Sequence, residues 1–380
     1  MKHSPVSLCK ISRYTKDMST FGLDTSQKLS RARADLRMGA PVIVVGSSAV
    51  LFYAAEVLDN ARFSDLRDFS SDVRMIVSTR RAETLKIACY DGAYAQISIP
   101  TDRDLRWIKA VADPSSDLSV GPLGPFQVLR NTAIGGEGAA LALLKSAELL
   151  PAAIVCEITN PAEFAYEHGL SLVHEKDIET GAHQHPNFAD MIVARLPIQD
   201  SDQGRLHVFR PPTGDSEHYA MEIGRPDRSK PVLVRLHSAC FTGDVLGSLK
   251  CDCGPQLRGA LAHMGAEGHG ILLYLNQEGR GIGLTNKMRA YSLQDKGFDT
   301  VEANHRLGFE DDERDFRIGA ALLRDLGISD IRLMTNNPKK IEMMKKQGIE
   351  VSERVPLRVG ESAHNRAYLA TKAAKSGHLF

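Results

Sequence analysis

The sequence predicts a mixed α/β protein of two domains. Three observations carry that reading. Short apolar runs rich in Val, Ile and Leu end at Gly, Ser or Asn, as strands do. Stretches of helical period lie between them. A polar break, DSDQGR at residues 200–205, divides the chain of 380 residues near its middle, and 43% hydrophobic content is enough for two cores.

Residues 1–25 are polar and aperiodic and read as an arm. PVIVVGSS (41–48) reads as a strand, and AVLFYAAEVL (49–58) follows it at helical spacing. VRMIVST (73–79), LKIACY (85–90) and AAIVCEI (152–158) read as strands, and GEGAALALLKSAELL (136–150) as a helix. The first domain is expected to span 26–198, ending near Pro197.

The second half, 205–380, repeats the alternation with sharper punctuation. KPVLVRLHS (230–238), GILLYLN (270–276) and IRLMT (331–335) read as strands. LTNKMRAYSLQDKG (284–297) is expected to be a helix with Gly297 past its end. In DERDFRIGAALLRDLG (312–327), Phe316, Ala320 and Leu323 share a face and Gly327 is the stop. TNNPKKIEMMKKQG offers Asn337 as N-cap, Pro338 at the first helical position and Gly348 as terminator.

Basic and acidic side chains number 47 each, so no global charge favours nucleic acid or an anionic membrane, and neither partner is expected. No apolar run reaches the length of a membrane span, and the N-terminus lacks the apolar core of a secretory signal, which makes the cytoplasm the expected location. Six cysteines fit a reduced compartment better than a disulfide framework: Cys9, Cys89 and Cys156 are scattered, while Cys240, Cys251 and Cys253 fall in one short segment.

Those last three form C-x10-C-x-C. Three thiolates can fill three corners of a zinc tetrahedron and leave the fourth for water, as in a catalytic site. The spacing alone is equally compatible with small buried residues or with a four-ligand structural site, for which His237 or His263 could be the fourth ligand.

The stretch RLHSACFTGDVLGSLKCDCGPQL (235–257), with LYLNQEGRGIGLTNKMRAYSLQDKGFDTVEANHRLGF (273–309), DERDF (312–316), LMTNNPKKIE (333–342) and the closing YLATKAAKSGHLF (368–380), resembles GTP cyclohydrolase II. The resemblance implies that Cys240, Cys251 and Cys253 hold Zn²⁺, and that the protein opens the imidazole ring of GTP at C8, releasing formate and pyrophosphate in the first step of riboflavin biosynthesis. Tyr291 matches a tyrosine placed near the purine, Asp312 a general base, and Arg314 an arginine proposed to attack the α-phosphorus. A guanidinium stays protonated below about pH 12, so a clamp on phosphate charge is the less demanding role for Arg314. By the same match Arg235, His237, Ser238, Gln256, Glu278, Gly279, Arg280, Thr300, Thr335 and Lys340 bind GTP. Glu278, or Gln256 in part, is the expected reader of the guanine N–H groups. Mg²⁺ is expected on the triphosphate, and the family implies a homodimer. One departure stands out: Ala239 occupies a position where the family usually has Glu, which keeps open another nucleotide substrate or a non-catalytic zinc- and nucleotide-binding regulator.

GAPVIVVG (39–46), DLRWIKAVADP (104–114) and LLPAAIVCEI (149–158) are similar, more weakly, to 3,4-dihydroxy-2-butanone 4-phosphate synthase. That family's acidic run and its Gly-His-Thr-Glu are replaced here by GSSAVLFYAAEVL and GGEG, so a catalytically silent domain is expected, with Glu137 and Glu157 as isolated carboxylates.

Overall fold

The computed structural model describes residues 22–90, 92–117, 121–130, 135–183, 188–362 and 365. Most of the expected arm and the closing YLATKAAKSGHLF stretch lie outside the described residues.

Helix α1 (Thr25–Arg37) opens the described chain, and Asp24 starts it with a capping box shared with Gln27. Then follow β1 (Val42–Val45), β2 (Ala49–Ala54), α2 (Asn60–Phe69), β3 (Arg74–Ser78), α3 (Thr79–Leu85), β4 (Tyr94–Ser98), α4 (Leu105–Ala112), α5 (Glu137–Ser146), β5 (Ala152–Glu157), α6 (Pro161–His168), β6 (Ser171–His174) and α7 (Glu175–His183). The strands form one sheet in the order β4-β3-β5-β2-β1-β6. Only the β1–β6 pairing is parallel. Both faces are covered: Val42 and Val44 of β1 join a core with α1 and α5, while Ile43 joins the core that contains α2 and α4.

Two expectations fail here. Residues 49–54 are a strand, not a helix. The Gly46 N–H donates to Ser48 O at 2.8 Å, closing a tight turn that brings Val45 opposite Ala49. With both faces buried, β2 has no polar alternation, and its Val, Leu, Phe and Tyr favour extended backbone. LKIACY forms no strand: Leu85 ends α3, Lys86 caps it with left-handed φ of 57°, and both edges of β3 are already taken by β4 and β5.

The second sheet comprises β7 (Ala189–Arg195), β8 (Gly204–Arg210), β9 (His218–Ile223), β10 (Val232–Ser238), β11 (Gly270–Leu275), β12 (Asp330–Met334) and β13 (Glu350–Val355), in the order β13-β12-β10-β11-β9-β8-β7. Strands β13, β12, β10 and β11 are parallel, and the other half is an antiparallel meander. Its helices are α8 (Phe241–Asp244), α9 (Cys253–Glu267), α10 (Glu278–Gly281), α11 (Gly283–Gln294), α12 (Thr300–Leu307), α13 (Arg317–Asp325) and α14 (Pro338–Lys346). DSDQGR is the turn of the β7–β8 hairpin rather than a linker, because Leu196 N donates to Gly204 O at 2.9 Å and β7 pairs along β8. Strand β7, read from sequence as part of the first domain, thus lies in the second sheet. Asn337 caps α14 by accepting from Lys339 N, with Pro338 next.

Leu150 of the first unit is buried in a cluster with Ile282, Ala290, Leu293, Ala303, Leu307 and Phe309 of the second. Around this plug, Asn286 Nδ2 donates to Glu148 O at 2.8 Å, Ser78 Oγ donates to Gly308 O at 2.8 Å, and Arg289 pairs with Asp113 at 2.9 Å and Glu56 at 3.3 Å. Helix α11 and the end of α12 therefore rest against the first unit. No helix among the described residues is long and apolar enough to cross a membrane.

His218 ties the meander to the end of β11: its Nδ1 accepts from Asn276 N at 3.0 Å. Burial pushes its pKa down to about 4, against a weaker upward pull from Asp215 and Asp315. The unfolded chain takes up this proton near pH 6.5 and the folded chain only near 4, so stability falls as pH drops through that window, by roughly 3 kcal/mol. Urea midpoints measured from pH 7 to 4.5 should fall less steeply in His218→Gln than in the parent. Equal slopes would contradict this assignment.

Candidate functional site

Strand β10 has β11 on one side and β12 on the other, so the strand order reverses there. In open parallel sheets such a reversal leaves a crevice at the carboxyl ends of the strands. A cavity of about 280 Å³ occupies that place. Its walls come from the end of β10, the turn after β11, helix α11, the segment between α12 and α13, and the start of α14.

Cys240 follows β10, Cys251 precedes α9, and Cys253 is the first residue of α9. Their sulfurs lie within 4.8 Å of one another, and no other Cys, His, Asp or Glu among the described residues joins them. Cys240 Sγ is 3.7 Å from Cys251 Sγ. Two Zn–S bonds of about 2.3 Å at a tetrahedral angle separate their sulfurs by about 3.8 Å, so the set fits zinc. His237 is directed instead to Asp244, at 3.0 Å, and His263 is 43% exposed beside Glu267. Gly243 completes the cradle: a Cβ there would meet Cys251 Sγ at 2.8 Å and Cys240 Sγ at 3.0 Å.

Without a cation the three thiols cannot ionise together. Hydrogen bonds from Cys251, Cys253 and the Lys287 ammonium hold Cys240 far below the ordinary thiol range, and Cys240 in turn drives Cys251 and Cys253 upward. Lys287 Nζ donates to Cys240 Sγ at 3.0 Å, Thr242 Oγ1 at 2.9 Å and Glu278 Oε1 at 2.9 Å. Burial opposes the lysine's charge, but Glu278 and Cys240 outweigh it. Asp244, also buried, accepts from Cys240 N at 3.1 Å and from the Tyr274 hydroxyl at 3.0 Å. Lys287, Asp244 and Gly243 have no counterpart in the sequence-level reading. The only hint was the FTGD segment directly after Cys240.

Arg314 and Asp312 face the cleft as a two-pronged pair, Nε to Oδ1 at 2.8 Å and Nη2 to Oδ2 at 2.6 Å, and Nη1 also donates to Ser238 Oγ at 3.2 Å. Burial would raise the Asp312 pKa, but the Arg314 guanidinium outweighs it and holds the carboxyl below its usual range. Tyr291 of α11 lies under two ammonium groups, Lys250 Nζ at 5.2 Å and Lys287 Nζ at 5.7 Å from its ring centre.

The turn after β11 is wound left-handed at Gly279, Arg280 and Gly281, with φ of 65°, 63° and 90°. For Arg280 this costs on the order of 1 kcal/mol or more, a strain the surrounding contacts must hold. Gly281 is required: a Cβ would come within 2.7 Å of Glu313 O. The two Glu278 oxygens are engaged, Oε2 by Phe241 N at 2.6 Å and Oε1 by Gly279 N at 3.0 Å as well as Lys287. Gln256 bridges Arg235 and Asp252.

At the opposite wall, burial brings the Arg235 pKa down to about 10, and Nη1 donates to Met334 O at 3.0 Å. Lys340 Nζ, also buried, donates to Leu236 O at 3.0 Å. Thr335 Oγ1 accepts from Asn337 N at 3.1 Å, and Thr300 Oγ1 accepts from Gln294 at 3.3 Å. Two cationic side chains thus meet the N-terminus of α14, whose N–H groups and dipole favour an anion.

Every sequence-expected site residue lines this one cavity: Cys240, Cys251, Cys253, Tyr291, Asp312, Arg314, Arg235, His237, Ser238, Gln256, Glu278, Gly279, Arg280, Thr300, Thr335 and Lys340. Ala239 lines it too, fixed by its N–H donating to Leu275 O at 2.8 Å.

The model of the GTP cyclohydrolase II family matches residues 190–356, which begin at β7. A GTP cyclohydrolase-2 of Azospirillum brasilense is 45% identical over 318 residues, covering 80% of this chain and 81% of that one. That alignment reaches well into the first unit. A GTP cyclohydrolase-2 of Citrobacter koseri is 58% identical over 186 residues, 49% of this chain and 94% of the relative. The riboflavin biosynthesis protein RibBA of Synechocystis is 45% identical over 257 residues, 64% of this chain and 46% of the relative. A cleft that gathers the cysteine triad, the Asp312–Arg314 pair and a cationic wall accords with these likenesses, and the chain belongs to the GTP cyclohydrolase II family.

Proposed function

We propose that this chain hydrolyses GTP to 2,5-diamino-6-(5-phospho-ribosylamino)pyrimidin-4(3H)-one, formate and pyrophosphate, the entry step of riboflavin biosynthesis. The observation that carries the reading is the convergence of a three-thiol metal set and a two-pronged Asp–Arg pair in one cleft with a cationic wall. Cys240, Cys251 and Cys253 would hold Zn²⁺, which when bound supplies a Lewis acid and brings the pKa of water down to about 7.

The remaining roles belong to the protein's own groups. Lys287 offsets the negative charge of the thiolates, and Glu278 anchors Lys287 and the Phe241 backbone. With both oxygens engaged, Glu278 acts as an anchor and not as the guanine reader. Arg235, Lys340 and the α14 N-terminus receive phosphate oxygens; Arg280, on its strained turn, closes the cleft over them. The two-pronged bond to Asp312 fixes the orientation of the Arg314 guanidinium, which as a protonated fork suits a clamp on charge developing at the α-phosphate better than a nucleophile. Asp312 acts first by orienting Arg314, and it accepts a proton from the nucleotide side only if that pair opens. Tyr291 borders the cysteine end of the cleft, where a phenol can orient a water or give up a proton. Mg²⁺ would arrive on the triphosphate, since among the described residues no carboxylate cluster forms a cage for it.

The first unit is assigned here as a silent dihydroxybutanone phosphate synthase-like domain, with the boundary just before β7. Glu137 is wholly buried at the start of its own helix, accepting from Gly135 N at 2.8 Å and from the Tyr94 hydroxyl at 3.4 Å, while Glu157 is exposed. A homodimer and a cytoplasmic location are proposed from the family.

Incubating zinc-loaded protein with GTP and Mg²⁺ should yield formate, pyrophosphate and the pyrimidine together. GTP that binds and survives would overturn the reading. If formate appears instead from another purine nucleotide in a substrate panel, Ala239 has redirected specificity. Gly243→Ala should cut zinc content several-fold by crowding two of the sulfurs, and Cys251→Ser should abolish formate release while leaving the fold intact by circular dichroism. Full zinc in both variants would refute the assigned cradle.

A further inference from the structure

The first unit touches the second not only at the Leu150 plug but also at the turn that carries Asp312 and leads into Arg314. That turn, residues 310–313, is closed by one oxygen: Glu313 Oε1 accepts from Glu310 N at 2.9 Å. The same oxygen accepts from Lys145 Nζ at 2.7 Å, and Lys145 stands on α5 of the first unit. Glu310, at the other end of the turn, takes a two-pronged contact from Arg80 of α3, with the shorter arm at 2.7 Å. Glu313 N donates to Arg280 O at 3.0 Å, and Arg280 Nη1 donates to Asp311 O at 3.2 Å, so the same turn steadies the strained phosphate-side loop.

Resting on the cyclohydrolase reading, we infer that Lys145 and, to a lesser degree, Arg80 are positioning residues, and that the first unit serves as a brace for the active site of the second. Neither side chain lines the nucleotide cavity. Both act through acidic residues on either side of Asp312. The two contacts are not of equal weight. Lys145 and Glu313 are 25% and 21% exposed, whereas Arg80 and Glu310 are 33% and 51% exposed and lose more of their attraction to water and salt. Without Lys145, the Glu313 carboxylate loses its cationic partner on α5, the turn gains freedom, and Arg314 spends less time in its clamp geometry. Small misplacements of such a group are costly because catalysis depends on its preset orientation. This gives a physical reason for a domain without chemistry of its own to stay attached.

The test pairs hydrogen–deuterium exchange across residues 308–316 with steady-state formate release, on full-length zinc-loaded protein. Lys145→Met should speed exchange in that segment and lower kcat about tenfold, with KM for GTP and zinc content within twofold. Arg80→Ala should have a smaller effect on both, and Lys145→Arg should restore most of the loss. Exchange and kcat in Lys145→Met within twofold of the parent would overturn the brace. Exchange requires no turnover, so a parent that releases no formate counts against the cyclohydrolase reading, and the brace is then decided by exchange alone.

Discussion

The rest of the site depends on the crowding of three sulfurs. Thiolates within 4.8 Å of one another repel strongly, and the protein answers only part of that charge, with the Lys287 ammonium at 3.0 Å from Cys240. A dication, as proposed above, would let all three ionise together. Fixing the sulfurs this way dictates much else: Gly243 because no Cβ fits beside them, Asp244 to hold the Cys240 backbone, and Glu278 to hold Lys287. Residues that would suit substrate recognition by type are therefore committed to building the cysteine end of the cleft.

At the other end the same economy appears with opposite charge. Arg235 and Lys340 are buried cations that rest on backbone carbonyls, Met334 O and Leu236 O, and Gln256 engages Arg235 as well. Both line the cleft beside the N-terminus of α14, whose N–H groups and dipole also favour an anion. Arg314 differs because Asp312 already holds it, and it therefore offers orientation more than unspent charge.

Much of this was legible in the sequence where local chemistry is strong. Asn337–Pro338 wrote the start of α14, Gly297 and Gly327 marked helix ends, and the ordered motifs from Arg235 to Lys340 named residues that do share one cavity. The failures have physical causes. Strand β2 is buried on both faces and so lacks the alternation that separates strand from helix. LKIACY has strand composition, but β3, the strand nearest to it in sequence before α3, is already flanked by β4 and β5. Strand β7 was placed in the wrong unit because a hairpin turn and a linker share the same polar composition. Lys287 lies 47 residues from Cys240, and a lone lysine in a helix reads as a solvated side chain until the fold closes. The contacts of Lys145 and Arg80 with the catalytic turn were likewise beyond local reading, because they span 168 and 230 residues of chain.

Cys240, Cys251 and Cys253 are proposed to form an open, three-thiolate zinc site. X-ray absorption at the zinc edge of the purified protein tests it most directly. Three sulfur scatterers near 2.3 Å and one lighter oxygen scatterer near 2.0 Å are expected. Four sulfurs, fewer than three, or a histidine ring in the outer-shell pattern would contradict it.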